Sequence, residues 1–175
     1  MFSLTSLARR AAQINPNTNA VSAPGYGVLW RDFPTRVSRL AGGLRGLGVD
    51  ADERVAILAL NSAHYYEFYF AVAWAGGVFV PINTRLAPPE ILHWLNDSGA
   101  RVLCVDSTFL PLLREMREQL NALEQIVLIG DASGVQHPES AADLPDWHGL
   151  ANADAVPDAD RRNNDVAGLF YTGGT

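Results

Sequence analysis

Apolar residues in the first part of the chain fall at helical spacing. Leu4, Leu7, Ala8, Ala11 and Ala12 share one face, which predicts an amphipathic helix over residues 4–13 that Pro16 ends. Residues 20–23 and 28–30, on either side of Pro24-Gly25-Tyr26-Gly27, read as a small hairpin. Phe33, Val37, Leu40, Leu44 and Leu47 mark the face of a second helix. Asp32 is its expected N-cap, Pro34 suits its first turn, and Gly48 supplies a left-handed stop.

From Arg54 the pattern changes. Strand-like apolar runs begin near Arg54, Val78, Arg101 and Gln125, at intervals of about 24 residues. Helical patterns fill the gaps over residues 62–75, 88–97 and 107–120. This alternation predicts βαβ units and an α/β fold with a mostly parallel sheet. The runs are wholly apolar, as strands covered on both faces are. Residues 131–164 are rich in Asp, Ala, Pro and Gly, and are expected to form a surface excursion with a short helix near 144–151. A connector of that length divides residues 1–130, a first α/β subdomain, from residues 165–175, the start of the next.

The last stretch carries the candidate chemistry. An apolar run over residues 166–171 breaks into Thr172-Gly173-Gly174-Thr175. Glycines let backbone N–H groups approach a phosphate with no Cβ in the way, and the threonine hydroxyls add donors. The same cluster also reads as an ordinary turn, and it matches neither a Walker loop nor a Gly-x-Gly-x-x-Gly dinucleotide turn.

Composition narrows the partners. A 48% hydrophobic and 18% charged chain is globular, and a net charge of -6 argues against nucleic acid. All 13 basic residues are arginine, so any lysine-dependent step lies outside these residues. Cys104, alone in an apolar run, reads as a buried inert thiol. No apolar stretch reaches membrane-spanning length and no secretory leader is recognisable, so the cytoplasm is the expected compartment. His64 reads as a surface or pocket-edge residue, and His93, His137 and His148 have no metal-site spacing. Tyr65, Tyr66, Phe68, Tyr69 and Phe70 are expected in the core, Arg114 and Arg117 on a solvated helix face, and Arg85 as a brace in a surface turn.

Taken in order, several segments resemble the adenylate-forming (AMP-dependent) acyl-CoA synthetase and ligase family. Residues 165–175, Asp-Val-Ala-Gly-Leu-Phe-Tyr-Thr-Gly-Gly-Thr, resemble the opening of its phosphate-binding signature loop. Residues 36–49 resemble its early helix with the Leu-Gly-Val end, and residues 54–62 its first strand with the following Asn-Ser. Residues 71–83 resemble its Ala-Gly-x-x-x-Val-Pro-x-Asn segment, and Asp97-Ser98-Gly99-Ala100 its Asp-Ser-Gly-Ala exit. Gly173 stands where the family more often has serine, which removes one hydroxyl donor.

The resemblance implies the N-terminal part of a multi-layer αβ large domain. It implies an enzyme that activates a carboxylic acid with ATP to an acyl-adenylate, then transfers the acyl group to coenzyme A. ATP, Mg²⁺ and coenzyme A are the implied cofactors, and a small-molecule carboxylate the substrate. Thr172, Gly173, Gly174 and Thr175 are the implied nucleotide-binding residues; no catalytic residue or metal ligand is assigned. The loop's proline and lysine are absent here, as are later family motifs. The expectation is therefore a fragment lacking its C-terminal remainder and inactive alone. Two other readings stay open: a stand-alone α/β binding module, and an adenylate-forming ligase with a different acceptor.

Overall fold

The computed structural model describes residues 3–129 and 144–172. Helix α1 (Leu4–Ile14) starts at Ser3, whose hydroxyl accepts the Ser6 N–H at 3.1 Å. Strands β1 (Asn19–Ala23) and β2 (Tyr26–Leu29) form the expected hairpin, with a tighter turn. It reverses at Pro24-Gly25, where Gly25 takes φ +75°, and Gly27 already lies in β2. Helix α2 (Phe33–Gly46) begins after Asp32 as expected, but the Asp32 side chain caps nothing. Its backbone is already helical (φ −97°, ψ −21°) rather than extended, and so cannot aim the carboxylate at the first-turn N–H groups.

Strand β3 (Arg54–Leu58) leads to α3 (Ala63–Ala75), which Ser62 caps by accepting the Tyr65 N–H at 3.1 Å. Gly76 ends α3 with φ +99°, a conformation strained for any residue with a Cβ. Then come β4 (Val78–Pro81), α4 (Pro88–Ser98) and β5 (Val102–Val105). The helix expected over 107–120 is broken. A 3-10 turn at Ser107–Phe109 precedes α5 (Leu110–Met116), and a second follows at Arg117–Gln119. Pro111 has no N–H to bond the Ser107 carbonyl, so the entering turn tightens. Strand β6 (Gln125–Leu128) closes the main sheet, and α6 (Trp147–Leu150) is half the length expected for it.

The main sheet is parallel, in the order β4-β3-β5-β6. Successive strand residues point to opposite faces. Val55, Ile57, Val102 and Cys104 pack with Val37, Leu40 and Leu44 of α2 and Phe68, Ala71 and Val72 of α3. Ala56, Leu58, Leu103 and Val105 pack with Ile91 and Leu95 of α4 and Leu110 and Leu113 of α5. Wholly apolar strands follow from this two-sided burial, at about 1.5–3 kcal/mol per large apolar side chain removed from water. Cys104 is fully buried, and burial pushes its thiol up, away from reactivity.

Residues 144–160 depart from the expected surface excursion. They form a strap that starts beside β6, where the Leu128 N–H donates to the Pro145 carbonyl at 2.8 Å. Trp147 is 1% exposed, and Leu150 is buried against α2, where a Cβ on Gly43 would meet it at 2.8 Å. A Cβ on Gly42 would meet the Asp154 carbonyl more closely still. Farther on, the Val156 N–H donates to the Ser38 carbonyl at 3.2 Å, and Trp74 Nε1 donates to the Val156 carbonyl at 2.9 Å. Composition reads as solvated here because polar residues dominate. Three spaced apolar anchors and two facing glycines hold the strap down instead. His137 and the rest of residues 130–143 lie outside the described residues.

Candidate functional site

The strap delivers the chain to the edge of the sheet at β4. There the Phe79 N–H donates to the Ala167 carbonyl at 3.1 Å, and the Leu169 N–H donates to the Phe79 carbonyl at 2.9 Å. This pairs Gly168 with Phe79 in parallel. The Phe79 ring lies directly over Gly168, in the space a Cβ would occupy. Side chains then alternate as in a strand. Leu169 and Tyr171 pack toward the α4–α5 face, while Phe170 meets Phe79 at 5.8 Å between ring centroids.

Tyr171 is held by α4. Its ring stacks on Trp94 with centroids 4.9 Å apart and planes 18° apart, and its hydroxyl donates to Asp97 Oδ2 at 2.6 Å. Burial and the Asp97 carboxylate push the Tyr171 hydroxyl up to about 12, so it stays a donor at neutral pH. Thr172 follows and is exposed. Gly173, Gly174 and Thr175 lie outside the described residues.

At Gly168 the chain runs toward the carboxyl end of the parallel strands, where open α/β sheets bind ligands. An exposed threonine hydroxyl leading into two glycines is chemically suited to a polyphosphate. Among the described residues no group of three His, Cys, Asp or Glu side chains could hold a metal ion, so they supply no protein cage for Mg²⁺. Arg114 and Arg117 are exposed, as expected, and flank an apolar cleft of about 330 Å³ with Leu110, Leu113, Ile126 and Leu144. That cleft lies by β6, four strand spacings or about 19 Å from the Gly168 segment. It belongs to a different place from the Thr172 turn. Arg85 is exposed, and its guanidinium makes no ion pair among the described residues, so the expected brace is not formed.

A second polar group sits in the core. His64, expected at the surface or at a pocket edge, is 1% exposed, and Glu67 one turn later is fully buried. Helix α3 is covered at both positions, although Tyr66 between them is 37% exposed. Glu67 Oε1 accepts from Arg36 Nε at 2.6 Å and from the Tyr26 hydroxyl. Oε2 accepts from Arg36 Nη2 at 3.1 Å and from Trp147 Nε1 at 2.9 Å, with His64 Nδ1 at 3.4 Å. Burial works against the charge, but donors from His64, Arg36 and Tyr26 hold the carboxyl down at about 2. One carboxylate thus ties the hairpin, α2, α3 and the strap together. Sequence reasoning passed over Glu67, although an acid inside an apolar helix was a visible signal. It also passed over Phe79, Trp94 and Asp97, which are far in sequence from the segment they hold.

Comparison with known proteins fits this arrangement. A family model described as AMP-binding enzyme matches residues 8–175. A feruloyl-CoA synthase from an Amycolatopsis species is 47% identical over 94 residues, which are 54% of this chain and 19% of that protein. The fatty acid–[acyl-carrier-protein] ligase ScoC of Streptomyces coeruleorubidus is 35% identical over 164 residues, covering 94% of this chain and 29% of that one. The crystal structure of the anthranilate CoA ligase AuaEII in complex with anthranoyl-AMP superposes with a TM-score of 0.85 at 28% identity, over 99% of this chain and 32% of that chain. The chain therefore spans less than a third of the length of each of these relatives. With the family model covering nearly every residue and the α/β architecture shared, the chain belongs to the AMP-binding, adenylate-forming ligase family.

Proposed function

We propose that the complete gene product is an AMP-forming carboxylate–CoA ligase, and that these residues supply its first α/β subdomain and the start of its phosphate-binding turn. The observation that carries the reading is the parallel pairing of Gly168 with Phe79. It aims Tyr171 and Thr172 at the carboxyl end of the sheet, and Gly173, Gly174 and Thr175 follow them in the sequence. Residues 165–175 then open the next subdomain.

In the first half-reaction a carboxylate oxygen attacks the α-phosphate of ATP and pyrophosphate leaves. The Thr172 hydroxyl and the backbone amides after it would meet the outer phosphates and stabilise the charge that accumulates there. Mg²⁺, when bound with the nucleotide, supplies further charge neutralisation; coenzyme A supplies the thiol that accepts the acyl group. The acyl group itself is left open, because the relatives' names range from feruloyl to fatty-acid substrates.

Pyrophosphate exchange into ATP, run on the complete gene product with a panel of aromatic and aliphatic carboxylates, tests the reading. One or more acids should support exchange, and Thr172→Ala should raise the KM for ATP about two- to tenfold. Exchange with none of the acids would defeat it. A carrier-protein thiol as acceptor is the second reading, favoured by the 35% identity to a fatty acid–[acyl-carrier-protein] ligase. Product analysis with coenzyme A and with a phosphopantetheinylated carrier protein separates the two acceptors.

A further inference from the structure

The segment that leads to Thr172 pairs with β4 through a single bridge at Gly168. Its nearest fixed point to Thr172 is Tyr171, the residue immediately before it. Two side chains on α4 hold Tyr171 in different ways. Trp94 stacks on the ring at 4.9 Å and 18°, and Asp97 takes the hydroxyl at 2.6 Å. They lie three residues apart on one helix, which places them on one face. The helix is itself fixed. Ile91 and Leu95 are buried against the sheet, Glu90 accepts the Ala87 N–H at 2.9 Å, and Gly99 ends it with φ +62°. A flat stack sets the height and tilt of the ring; a hydroxyl–carboxylate hydrogen bond sets its rotation. Together they fix where the Tyr171 Cα lies, and hence where the Thr172 N–H begins.

We propose that Trp94 and Asp97 are positioning residues for nucleotide binding, acting through Tyr171 to place Thr172. This rests on the ligase reading above. Neither side chain touches the nucleotide, and each acts only through the Tyr171 contact. The consequence is specific. Loosening the contact weakens the grip on ATP and leaves the carboxylate site alone.

The test uses the complete gene product carrying Tyr171→Phe, Asp97→Ala, both together, Trp94→Ala and Trp94→Phe. Pyrophosphate exchange gives the KM for ATP and for the carboxylate, and amide hydrogen exchange at Thr172 is followed by NMR. Tyr171→Phe and Asp97→Ala should each raise the ATP KM about two- to tenfold. The double variant should be no worse than either single, because both remove one bond. Trp94→Ala should act in the same direction and Trp94→Phe should restore much of the loss, with faster Thr172 exchange wherever the ATP KM rises. The carboxylate KM should not move. Exchange-active wild type with variants of unchanged ATP KM overturns the proposal and leaves the ligase reading standing. So do additive effects in the double variant, or a carboxylate KM that rises in step with that of ATP. A wild-type protein that exchanges no pyrophosphate overturns both.

Discussion

Arg36 on α2 grips Glu67 on α3 along one edge of its guanidinium, Nε 2.6 Å from Oε1 and Nη2 3.1 Å from Oε2. The Glu67 side chain is fully buried and Arg36 is 20% exposed. Removing one member of such a pair strands the other's charge in the core, which costs about 3–5 kcal/mol. Glu67→Ala also leaves the Trp147 indole N–H and the Tyr26 hydroxyl without their acceptor. Urea unfolding of the purified protein should therefore show Glu67→Ala and Arg36→Ala to be severely destabilised. A loss below about 1 kcal/mol, the range of a surface ion pair, would show that the pair is not buried in solution.

The same carboxylate makes stability depend on acid. Its folded pKa of about 2 lies below the ordinary value of 4.5. A depressed acid contributes stability that is fully present above the unfolded pKa and is lost as pH falls through the folded one. The loss from Glu67 should fall between about pH 4.5 and pH 2 and amount to roughly 3 kcal/mol. Unfolding free energies measured across that window should decline steeply in the wild type. Glu67→Gln, which cannot titrate, should be less stable at pH 6 and flatter below it. Parallel wild-type and variant curves would contradict the assignment.

The strands and the crossover helices were legible because burial on two faces writes itself into the sequence as wholly apolar runs at regular spacing; the family was legible through ordered short motifs that resemble its own. Cys104, Phe68 and Phe70 followed from the same rule of burial; Tyr65 and Tyr69 are only partly buried, and Tyr66, also expected in the core, is 37% exposed. The strap was not legible. Trp147, Leu150 and Val156 bury at irregular intervals in a polar background, and only their distant partners on α2 and α3 reveal them. His64 was misplaced for a related reason. The start of a helix is ordinarily wet, but this one is roofed by Trp147 and His148 from residues about 80 positions later. Of the candidate site, the Thr-Gly-Gly-Thr run was visible as a motif. The hold of Trp94 and Asp97 on Tyr171, and of Phe79 on Gly168, was not, because contacts between distant residues leave no local spacing to read.

His148 gives a second, milder pH dependence. Its ring meets His64 edge to face at 4.6 Å and Tyr26 at 6.2 Å, and its Nε2 is buried without a hydrogen-bond partner among the described residues. Burial, His64 and Arg36 depress its pKa below the ordinary 6.5, while Asp146 and Glu67 pull the other way. The neutral ring is the form the fold prefers. Its contribution is therefore complete above pH 6.5 and is lost as pH falls through the lower folded value. NMR titration of the ring should give a midpoint below that of a free histidine, and His148→Gln should flatten stability between pH 7 and pH 5. A midpoint above 6.5 would mean that the carboxylates outweigh burial and the two neighbours, His64 and Arg36.

Gly168 is required for space, not for backbone shape. A Cβ at this position would overlap Cε2 and Cδ2 of the Phe79 ring. The ring has little freedom to yield, because it is 6% exposed and packs edge-on against Tyr69 at 4.8 Å and 89°. Gly168→Ala must push either the ring into α3 or the segment off β4. Overpacking of this kind costs about 1–3 kcal/mol. The weaker side should give way, since the segment is held to β4 through one residue while Phe79 sits in the core. Gly168→Ala should therefore lower stability in that range and also release the Leu169 amide, which donates to the Phe79 carbonyl at 2.9 Å, to faster hydrogen exchange. Phe79→Leu, with a shorter and more yielding side chain, should recover part of both losses when combined with Gly168→Ala. If Gly168→Ala alone keeps wild-type stability and Leu169 protection, the Phe79 ring does not lie over Gly168, and the path of the chain into Thr172 must be redrawn.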